Sequence, residues 1–158
     1  MVKPTNILFC GTGGQGVLSA AEICGWAAVY SGLHVKKSEV HGMAQRGGSV
    51  ESHLRFGAEV FSPLIPAGQV DFLVPFHPDE EARLRYMLKP KGVDLIDALQ
   101  RANQEIKDPR YLNVFLLGFL SARLDLGENR WIQAIEKVFK NKNIDENKRF
   151  FQLGRGGL

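Results

Sequence analysis

The sequence predicts an α/β protein in which a mostly parallel sheet carries helices on both faces. Apolar runs typical of buried strands alternate along the chain with segments of helical periodicity. The 158 residues are 44% hydrophobic and 23% charged, which is enough for one domain with its own core. No linker, repeat or low-complexity run divides them, so we expect a single domain over residues 1–158.

The first half of the chain supplies most of the predicted strands. The apolar run Asn6–Cys10 predicts the first strand, and Val17–Ser31 predicts a helix that follows it. Leu33–Ser38 predicts a second strand. Ser49–Phe56 alternates between apolar and polar residues, which favours a half-exposed strand, and the continuous apolar run Val70–Val74 is typical of a central parallel strand.

The second half is predicted to be mainly helical. Pro78 opens a helix with three acidic residues in its first turn, where they favour the helix dipole. Lys89–Gly92 ends it, and we expect no strand here because Val93–Ile106 has helical periodicity almost at once. Tyr111–Leu124 is apolar on nearly every side and predicts a helix buried against the sheet. Two further helical segments are predicted, Trp131–Phe139 and Asp145–Gly154.

Charge and composition exclude several classes of protein. A formal charge of +3, with no basic stripe interleaved with aromatic residues, gives no indication of nucleic-acid binding. No segment approaches the ~18 apolar residues of a membrane span, and the amino terminus does not resemble a signal peptide. We therefore expect a cytoplasmic protein without a membrane partner.

The two cysteines indicate that this chain holds no metal. Cys10 and Cys24 do not form a C-x-x-C pair, and two thiols cannot supply a four-thiolate iron–sulfur or zinc site. Cys10 ends the first predicted strand beside the glycine loop, where a helix N-terminus could lower its pKa and make it reactive. The alternative, which we favour, is that both cysteines are small buried apolar residues.

A Rossmann-like glycine loop follows the first strand. Gly11, Gly13 and Gly16 have the G-x-G-x-x-G spacing, and the strand–loop–helix order places backbone N–H groups at a helix N-terminus, where they can bind a phosphate or another anion. The alternative is that the glycines only permit close packing of helix and strand. A nicotinamide or flavin site also needs an acidic residue about 20 positions further on. Lys36 and Lys37 stand there instead, and they would tolerate a phosphorylated ribose or a free phosphate.

A second glycine-rich loop, Ser38–Ser49, is the other candidate. Gly47 and Gly48 permit positive φ angles, and Arg46 offers a planar guanidinium group that can bind a carboxylate or a phosphate. The loop could be a simple connection with incidental charges. We favour the hypothesis that it meets the glycine loop at the carboxyl ends of the strands, where ligands bind in open α/β sheets.

The two loops together resemble a known family. Cys-Gly-Thr-Gly-Gly-Gln-Gly, followed by Ser-Glu-Val-His-Gly-Met-Ala-Gln-Arg-Gly-Gly-Ser-Val and Ser-His-Leu-Arg, is similar to the gamma-type domain of 2-oxoacid:ferredoxin oxidoreductases. The resemblance is dense from Asn6 to Pro78 and returns in Tyr111–Gly118 and Glu146–Gly154. Family members usually continue after the Pro-x-Gly at residue 92 into another strand and loop, and this segment is expected to be missing near residues 92–93.

The resemblance implies a subunit that is inactive alone. Family members convert a 2-oxoacid, coenzyme A and oxidised ferredoxin to an acyl-CoA, carbon dioxide and reduced ferredoxin. This chain has neither cluster cysteines nor a diphosphate–magnesium motif. Thiamine diphosphate, magnesium and iron–sulfur clusters would therefore be held by an alpha-type partner subunit, with indolepyruvate or another aryl pyruvate as the implied substrate and ferredoxin as an indirect partner.

The resemblance also assigns binding rather than catalytic roles to this chain. In some single-chain relatives the matching domain contributes to coenzyme A binding, which would suit the glycine loop. The residues expected to bind the cofactor are Gly11, Thr12, Gly13, Gly14, Gln15, Gly16, Arg46, Gly47, Gly48 and Ser49. Those expected at the partner interface are Glu39, His41, Met43, Gln45 and Arg46. Two alternatives stay open: a free-standing nucleotide-binding or regulatory module, and an NADP-linked reductase.

Overall fold

The computed structural model describes residues 3–42 and 48–156, which form one layered α/β unit. The strands are β1 (Thr5–Thr12), β2 (His34–His41), β3 (Ser49–Gly57), β4 (Val70–Pro75) and β5 (Leu88–Asp94). The helices are α1 (Val17–Tyr30), α2 (Pro78–Leu84), α3 (Ile96–Glu105), α4 (Leu112–Ser121), α5 (Glu128–Phe139) and α6 (Ile144–Arg155). Short 3₁₀ turns cover Arg85–Met87 and Pro109–Tyr111.

The sheet has the strand order β2-β3-β1-β4-β5. β1 pairs with β4, and β4 with β5, in parallel, while β3 is antiparallel to both β1 and β2. Four of the five described strands therefore run in the same direction and only β3 is reversed. The predicted mostly parallel sheet is confirmed, with β2 and β5 as its edges.

The prediction that no strand follows α2 is wrong. β5 pairs with β4 in a register that matches Phe72 with Val93, and an irregularity lies between Val70 and Phe72. Gly92 permits the close approach there, because a Cβ at this position would lie 2.8 Å from the Val70 carbonyl oxygen. An edge strand has only one neighbour, so it tolerates Pro90 and needs no continuous apolar run, which is why the sequence pattern concealed it.

Helices cover both faces of the sheet, as predicted. Ile7 and Phe9 of β1 belong to the larger core, which contains α1 and buried residues of α3, α4, α5 and α6. The alternate residues Leu8 and Cys10 face the smaller core, which α2 and the segment around Ile65 close. None of the helices described is both long and apolar enough to cross a membrane.

Two burial predictions have different outcomes. β3 is not half-exposed as expected, because α2 and the Ile65 segment cover its polar face and leave His53 only 5% exposed. The helix predicted over Tyr111–Leu124 is α4, and all ten of its residues are buried. It packs against α1, α3 and especially α6.

Candidate functional site

The glycine loop occupies Gly13–Gly16, between the end of β1 and the start of α1. Gly14 and Gly16 have φ angles of 88° and 89°, in the left-handed region that favours glycine. Gly16 is the N-cap of α1, and no side chain caps the first turn. The amides of this turn therefore lack helical acceptors and contribute the positive end of the helix dipole.

Some of the loop amides are already engaged within the protein. Gly13 donates its backbone N–H to the Gly48 carbonyl at 3.1 Å, and Gln15 donates to the Thr12 carbonyl at 3.3 Å. Within residues 3–42 and 48–156, the amides of Gly14 and Gly16 have no such partner. As far as the described residues show, the donors that remain available for an anion are those of Gly14, Gly16 and the first turn of α1.

The Gln15 side chain braces the loop. Its Oε1 accepts the Thr12 backbone N–H at 2.7 Å, and its Nε2 donates to the Phe76 carbonyl at 3.0 Å. Both ends of the amide thus bind backbone at the carboxyl edge of the sheet. This arrangement gives the Gln15 side chain a structural role, and the expectation that Gln15 contributes to cofactor binding stays a prediction.

Gly11 and Gly14 differ in their surroundings: Gly11 fits the packing interpretation of the glycine pattern, and Gly14 is compatible with the binding interpretation. Gly11 lies inside β1, where a Cβ would come within 2.7 Å of the Gln15 Oε1 and the Phe76 Cβ, so glycine is needed there for packing. A Cβ at Gly14 would meet nothing within 4 Å. The surface beside Gly14 is therefore open, as a site for an approaching ligand requires.

The second loop meets the glycine loop, as the sequence predicted. Ser49 begins β3 directly opposite Thr12 at the end of β1. The bond from Gly13 to Gly48 joins the two loops, and Gly42 donates its backbone N–H to the Ser49 carbonyl at 2.6 Å. Because β3 is the reversed strand, its first residue lies at the same edge of the sheet as the last residue of β1.

The other predicted residues of this region divide into two groups. Glu39 and His41 lie at the exposed end of β2, where the Glu39 carboxylate is 3.2 Å from the Lys37 Nζ and 3.7 Å from the His41 Nε2. Met43, Gln45, Arg46 and Gly47 lie outside the described residues.

Ser49 belongs to a network of charges that the sequence analysis missed. Its hydroxyl donates to Glu80 Oε2 at 2.9 Å, and Arg83 bridges Glu80 and Glu51, with its Nη2 at 2.9 Å from both carboxylates. Glu80 is buried although it lies in the first turn of α2. The network therefore fixes the position of α2 against the start of β3.

His53 extends this network into the core. Its Nδ1 accepts the Ile65 backbone N–H at 3.2 Å, so the other ring nitrogen, Nε2, donates to Glu51 Oε1 at 3.1 Å. The hydrogen bonds from His53 and Arg83 hold the pKa of Glu51 below its usual range, although burial opposes this. Glu51 is consequently a charged, fully engaged carboxylate.

A second acidic pair lies at the end of β5. Arg85 binds Glu81 with two hydrogen bonds of 2.7 Å and thereby lowers the pKa of Glu81 to about 2. Burial and the neighbouring Glu81 raise the pKa of Asp94 to about 7, while Asp94 Oδ1 accepts the Ile96 backbone N–H at 3.0 Å. The raised pKa favours the protonated form of Asp94 below about pH 7, beside a Glu81 that is charged.

The described residues include no group of histidine, cysteine and carboxylate side chains that could hold a metal ion. Cys10 and Cys24 are both fully buried. Burial raises the pKa of each thiol well above its ordinary range, and for Cys10 the nearby Glu80 adds to the effect. The interpretation of both cysteines as buried apolar residues is favoured over a reactive Cys10.

The sheet order argues against a dinucleotide site. In that type of site the ribose is bound at the end of the strand next to β1. Here β3 separates β2 from β1, so Lys36 and Lys37 lie two strands away, at about 10 Å. Their position in the middle of an edge strand removes the observation that had favoured an NADP-linked reductase.

Asn113 is a further residue of the site that the sequence analysis did not single out. It lies in the first turn of α4 with only 5% of its surface exposed. A Cβ at Gly16 would be 2.9 Å from the Asn113 Nδ2, so the two residues are in direct contact. The sequence did contain one indication of its importance: Asn113 is a polar residue within the otherwise apolar segment Tyr111–Gly118, and a buried polar side chain needs a hydrogen-bond partner.

Comparison with known proteins assigns the chain to one family of oxidoreductase proteins. The model of the pyruvate ferredoxin/flavodoxin oxidoreductase family matches residues 6–156, and the chain belongs to this family. Indolepyruvate oxidoreductase subunit IorB of Thermococcus kodakarensis is 31% identical over 192 aligned positions, which cover 97% of this chain and 95% of that protein. The same subunit of Pyrococcus horikoshii is 43% identical over 97 residues, covering 61% of this chain and 48% of that protein.

Solved structures agree on the fold. The gamma subunit of a keto/oxoacid ferredoxin oxidoreductase from Geobacter sulfurreducens superimposes with a TM-score of 0.76 at 23% identity, over 95% of each chain. The 2-oxoglutarate:ferredoxin oxidoreductase from Magnetococcus marinus, solved with 2-oxoglutarate, coenzyme A and succinyl-CoA bound, gives a TM-score of 0.81 at 22% identity. That match covers 98% of this chain and 31% of the other.

Proposed function

We propose that this chain is the small subunit of a 2-oxoacid:ferredoxin oxidoreductase, with indolepyruvate or another aryl pyruvate as substrate. The full-length similarity to an indolepyruvate oxidoreductase subunit supports this substrate class. A 2-oxoglutarate synthase subunit KorC from Archaeoglobus fulgidus is only 25% identical over 98% of this chain. The subunit works in the cytoplasm with an alpha-type partner and oxidises no oxoacid alone.

The redox cofactors of the reaction belong to the partner subunit in this proposal. Thiamine diphosphate stabilises the carbanion, and iron–sulfur clusters carry the electrons towards ferredoxin. Cys10 and Cys24 do not fit a cluster, because both thiols are fully buried in separate elements and two thiols are too few. No step of the electron transfer is therefore assigned to residues of this chain.

The contribution of this chain is an anion-binding surface for coenzyme A. The observation that carries it is the pair of open amides, Gly14 and Gly16, at the uncapped N-terminus of α1. Backbone donors at a helix N-terminus suit the phosphate groups of coenzyme A, whose thiol accepts the acyl group in the reaction. Thr12, Gly13 and Gly48 shape this surface through the contact between the two loops, and Ser49 anchors it to α2.

We assign the outer part of the second loop to the partner interface. Glu39 and His41 are exposed at this end of β2, beside the loop that contains Met43, Gln45, Arg46 and Gly47. Arginine and methionine are enriched at interfaces, and Arg46 could also pair with a phosphate of coenzyme A. Truncation of Arg46 to alanine separates the two roles, since loss of assembly indicates an interface and weak use of coenzyme A by an intact complex indicates a ligand contact.

The test of the binding surface uses two glycines that differ only in location. Gly14 has a φ of 88° and Gly32, after the far end of α1, has a φ of 81°; a Cβ would meet nothing within 4 Å at either position. Alanine should therefore impose a similar backbone cost of about 1 kcal/mol at both sites. We expect Gly14→Ala, but not Gly32→Ala, to weaken coenzyme A binding by the assembled complex about tenfold or more, measured by calorimetry.

Equal affinities in the two variants would contradict the assignment of the loop. Purification of the chain with its thiamine-dependent partner, identified by mass spectrometry, tests the assembly itself. An isolated monomer that binds adenine nucleotides tightly and recruits no partner would instead support a free-standing nucleotide-binding module.

A further inference from the structure

We propose that Asn113 binds the ligand of the glycine loop directly, by donating a hydrogen bond from its side-chain Nδ2 to a phosphate group. This inference rests on the proposed anion-binding function of the loop and adds a binding residue to it from a different helix. The ligand class is a phosphate ester, with coenzyme A as the probe.

The Asn113 amide is oriented by one bond and has a free donor. Its Oδ1 accepts the Val114 backbone N–H at 2.8 Å, which fixes the carbonyl side of the amide. Within the described ranges 3–42 and 48–156, its Nδ2 has no hydrogen-bond partner, although the residue is only 5% exposed. Among the described residues the fully enclosed side-chain atoms without a partner are Ser52 Oγ and Trp131 Nε1, so the Asn113 Nδ2 instead reaches the surface, where it can donate to an acceptor that comes from outside the chain.

The position of this donor points to the glycine loop. Gly16, the residue in contact with Asn113, is also the N-cap of α1 and carries one of the two open amides. A Cβ at Gly16 would lie 2.9 Å from the Nδ2, so any other residue would displace the asparagine side chain. Gly16 therefore serves two purposes, the left-handed backbone angle and the contact with Asn113.

The electrostatics favour an anion at the same place. Asn113 lies in the first turn of α4 and touches Gly16, the N-cap of α1, so the N-termini of two helices converge on it. Each N-terminus carries a partial positive charge, and together they stabilise a negative group. A neutral amide adds a directed donor without a further charge, which is an arrangement suited to one phosphate group.

The decisive variant is Asn113→Asp in the complex with the partner subunit. Aspartate keeps the size of the side chain and an oxygen for the Val114 N–H, and the two helix N-termini favour its charge, so the fold should be retained. It replaces the donor by a carboxylate that repels phosphate. We expect the Kd for coenzyme A to rise at least tenfold, with KM for coenzyme A raised and kcat at saturation unchanged. Asn113→Ala should weaken binding in the same direction.

The matched control is Asn103→Asp, which introduces the same charge at an exposed position of α3 and should leave binding unchanged. The inference is overturned if both Asn113 variants bind coenzyme A as tightly as the unaltered complex while Gly14→Ala weakens binding, a result that leaves the proposed function intact. An unaltered complex that does not bind coenzyme A, or a Gly14→Ala variant without effect, would overturn the loop site and this inference together.

Discussion

Replacement of Gly118 by alanine should destabilise the protein, whereas the same replacement at Gly25 should stabilise it. Both glycines lie inside buried helices with ordinary backbone angles, so each gains about 1 kcal/mol of helix propensity from alanine. The two positions differ in the space available for the added methyl group. The comparison therefore isolates the packing of α4 against α6.

The magnitude follows from the distances. A Cβ at Gly118 would lie 2.6 Å from the Arg155 backbone nitrogen and closer still to the Phe151 carbonyl oxygen, whereas ordinary contact begins at 3.4 Å. α6 must therefore retreat by about 1 Å, which disturbs Phe151 and its contact with Trp131. Overpacking of this kind costs about 2–3 kcal/mol, so Gly118→Ala should lose 1–2 kcal/mol after the propensity gain.

At Gly25 the methyl group has room. Its Cβ would be 3.5 Å from the Leu54 Cδ1 and 3.7 Å from the Val35 Cγ1, which are ordinary contacts. Gly25→Ala should therefore gain about 1 kcal/mol. Urea unfolding followed by tryptophan fluorescence measures both variants against the unaltered chain, because Trp131 is buried beside α6. Equal stability of the two variants would refute the claim that glycine sets the distance between α4 and α6.

Two further predictions concern titratable groups. Asp94 has a pKa of about 7 in the folded protein against an ordinary value of 3.8, so the stability that its protonated form contributes is lost as the pH rises from about 4 to about 7. Asp94→Asn keeps the acceptor for Ile96, and it should stabilise the protein more at pH 8 than at pH 5, by on the order of 1 kcal/mol in the free energy of unfolding measured with urea at each pH. An equal gain at both pH values would contradict the raised pKa of Asp94. A disulfide reagent such as Ellman's reagent should label neither Cys10 nor Cys24 in the native chain, because burial keeps both thiols protonated and inaccessible. Titration of both thiols only after denaturation is the expected result, and rapid labelling of either in the native state would disprove it.

The sequence predicted those helices and strands in which the pattern of apolar residues reflects burial in the core. α1 was expected over Val17–Ser31 and ends at Tyr30, and the apolar run Val70–Val74 became β4, which lies inside the sheet between β1 and β5. The edge strand β5 was missed, because an edge strand with proline and lysine lacks the apolar pattern. The expected absence of a family segment near residues 92–93 stays a prediction. It is compatible with an alignment to the Thermococcus relative that spans 192 positions, more than the 158 residues of this chain.

The candidate site was predictable in location but not in its hydrogen bonds. The spacing of the glycines indicated a loop before a helix, and the structure places Gly14 and Gly16 there with open amides. Which donors are consumed within the fold depends on contacts between distant segments, such as the Gln15 side chain with Phe76. The buried acids were also interpreted too simply. Glu80 was assigned only to the helix dipole, although its spacing from Arg83 already suggested an ion pair one turn apart.

The two edges of the sheet affect how copies of this chain behave before they meet a partner. An edge strand has unpaired backbone groups that can join a second sheet edge and begin aggregation. Lys36 and Lys37 are neighbours on β2 and point to opposite faces, so both sides of that edge are charged. On β5, Lys89 and Lys91 flank Pro90, which cannot donate a backbone hydrogen bond. Charged residues at both edges, with Pro90 on β5, thus oppose the pairing of one copy of this chain with another.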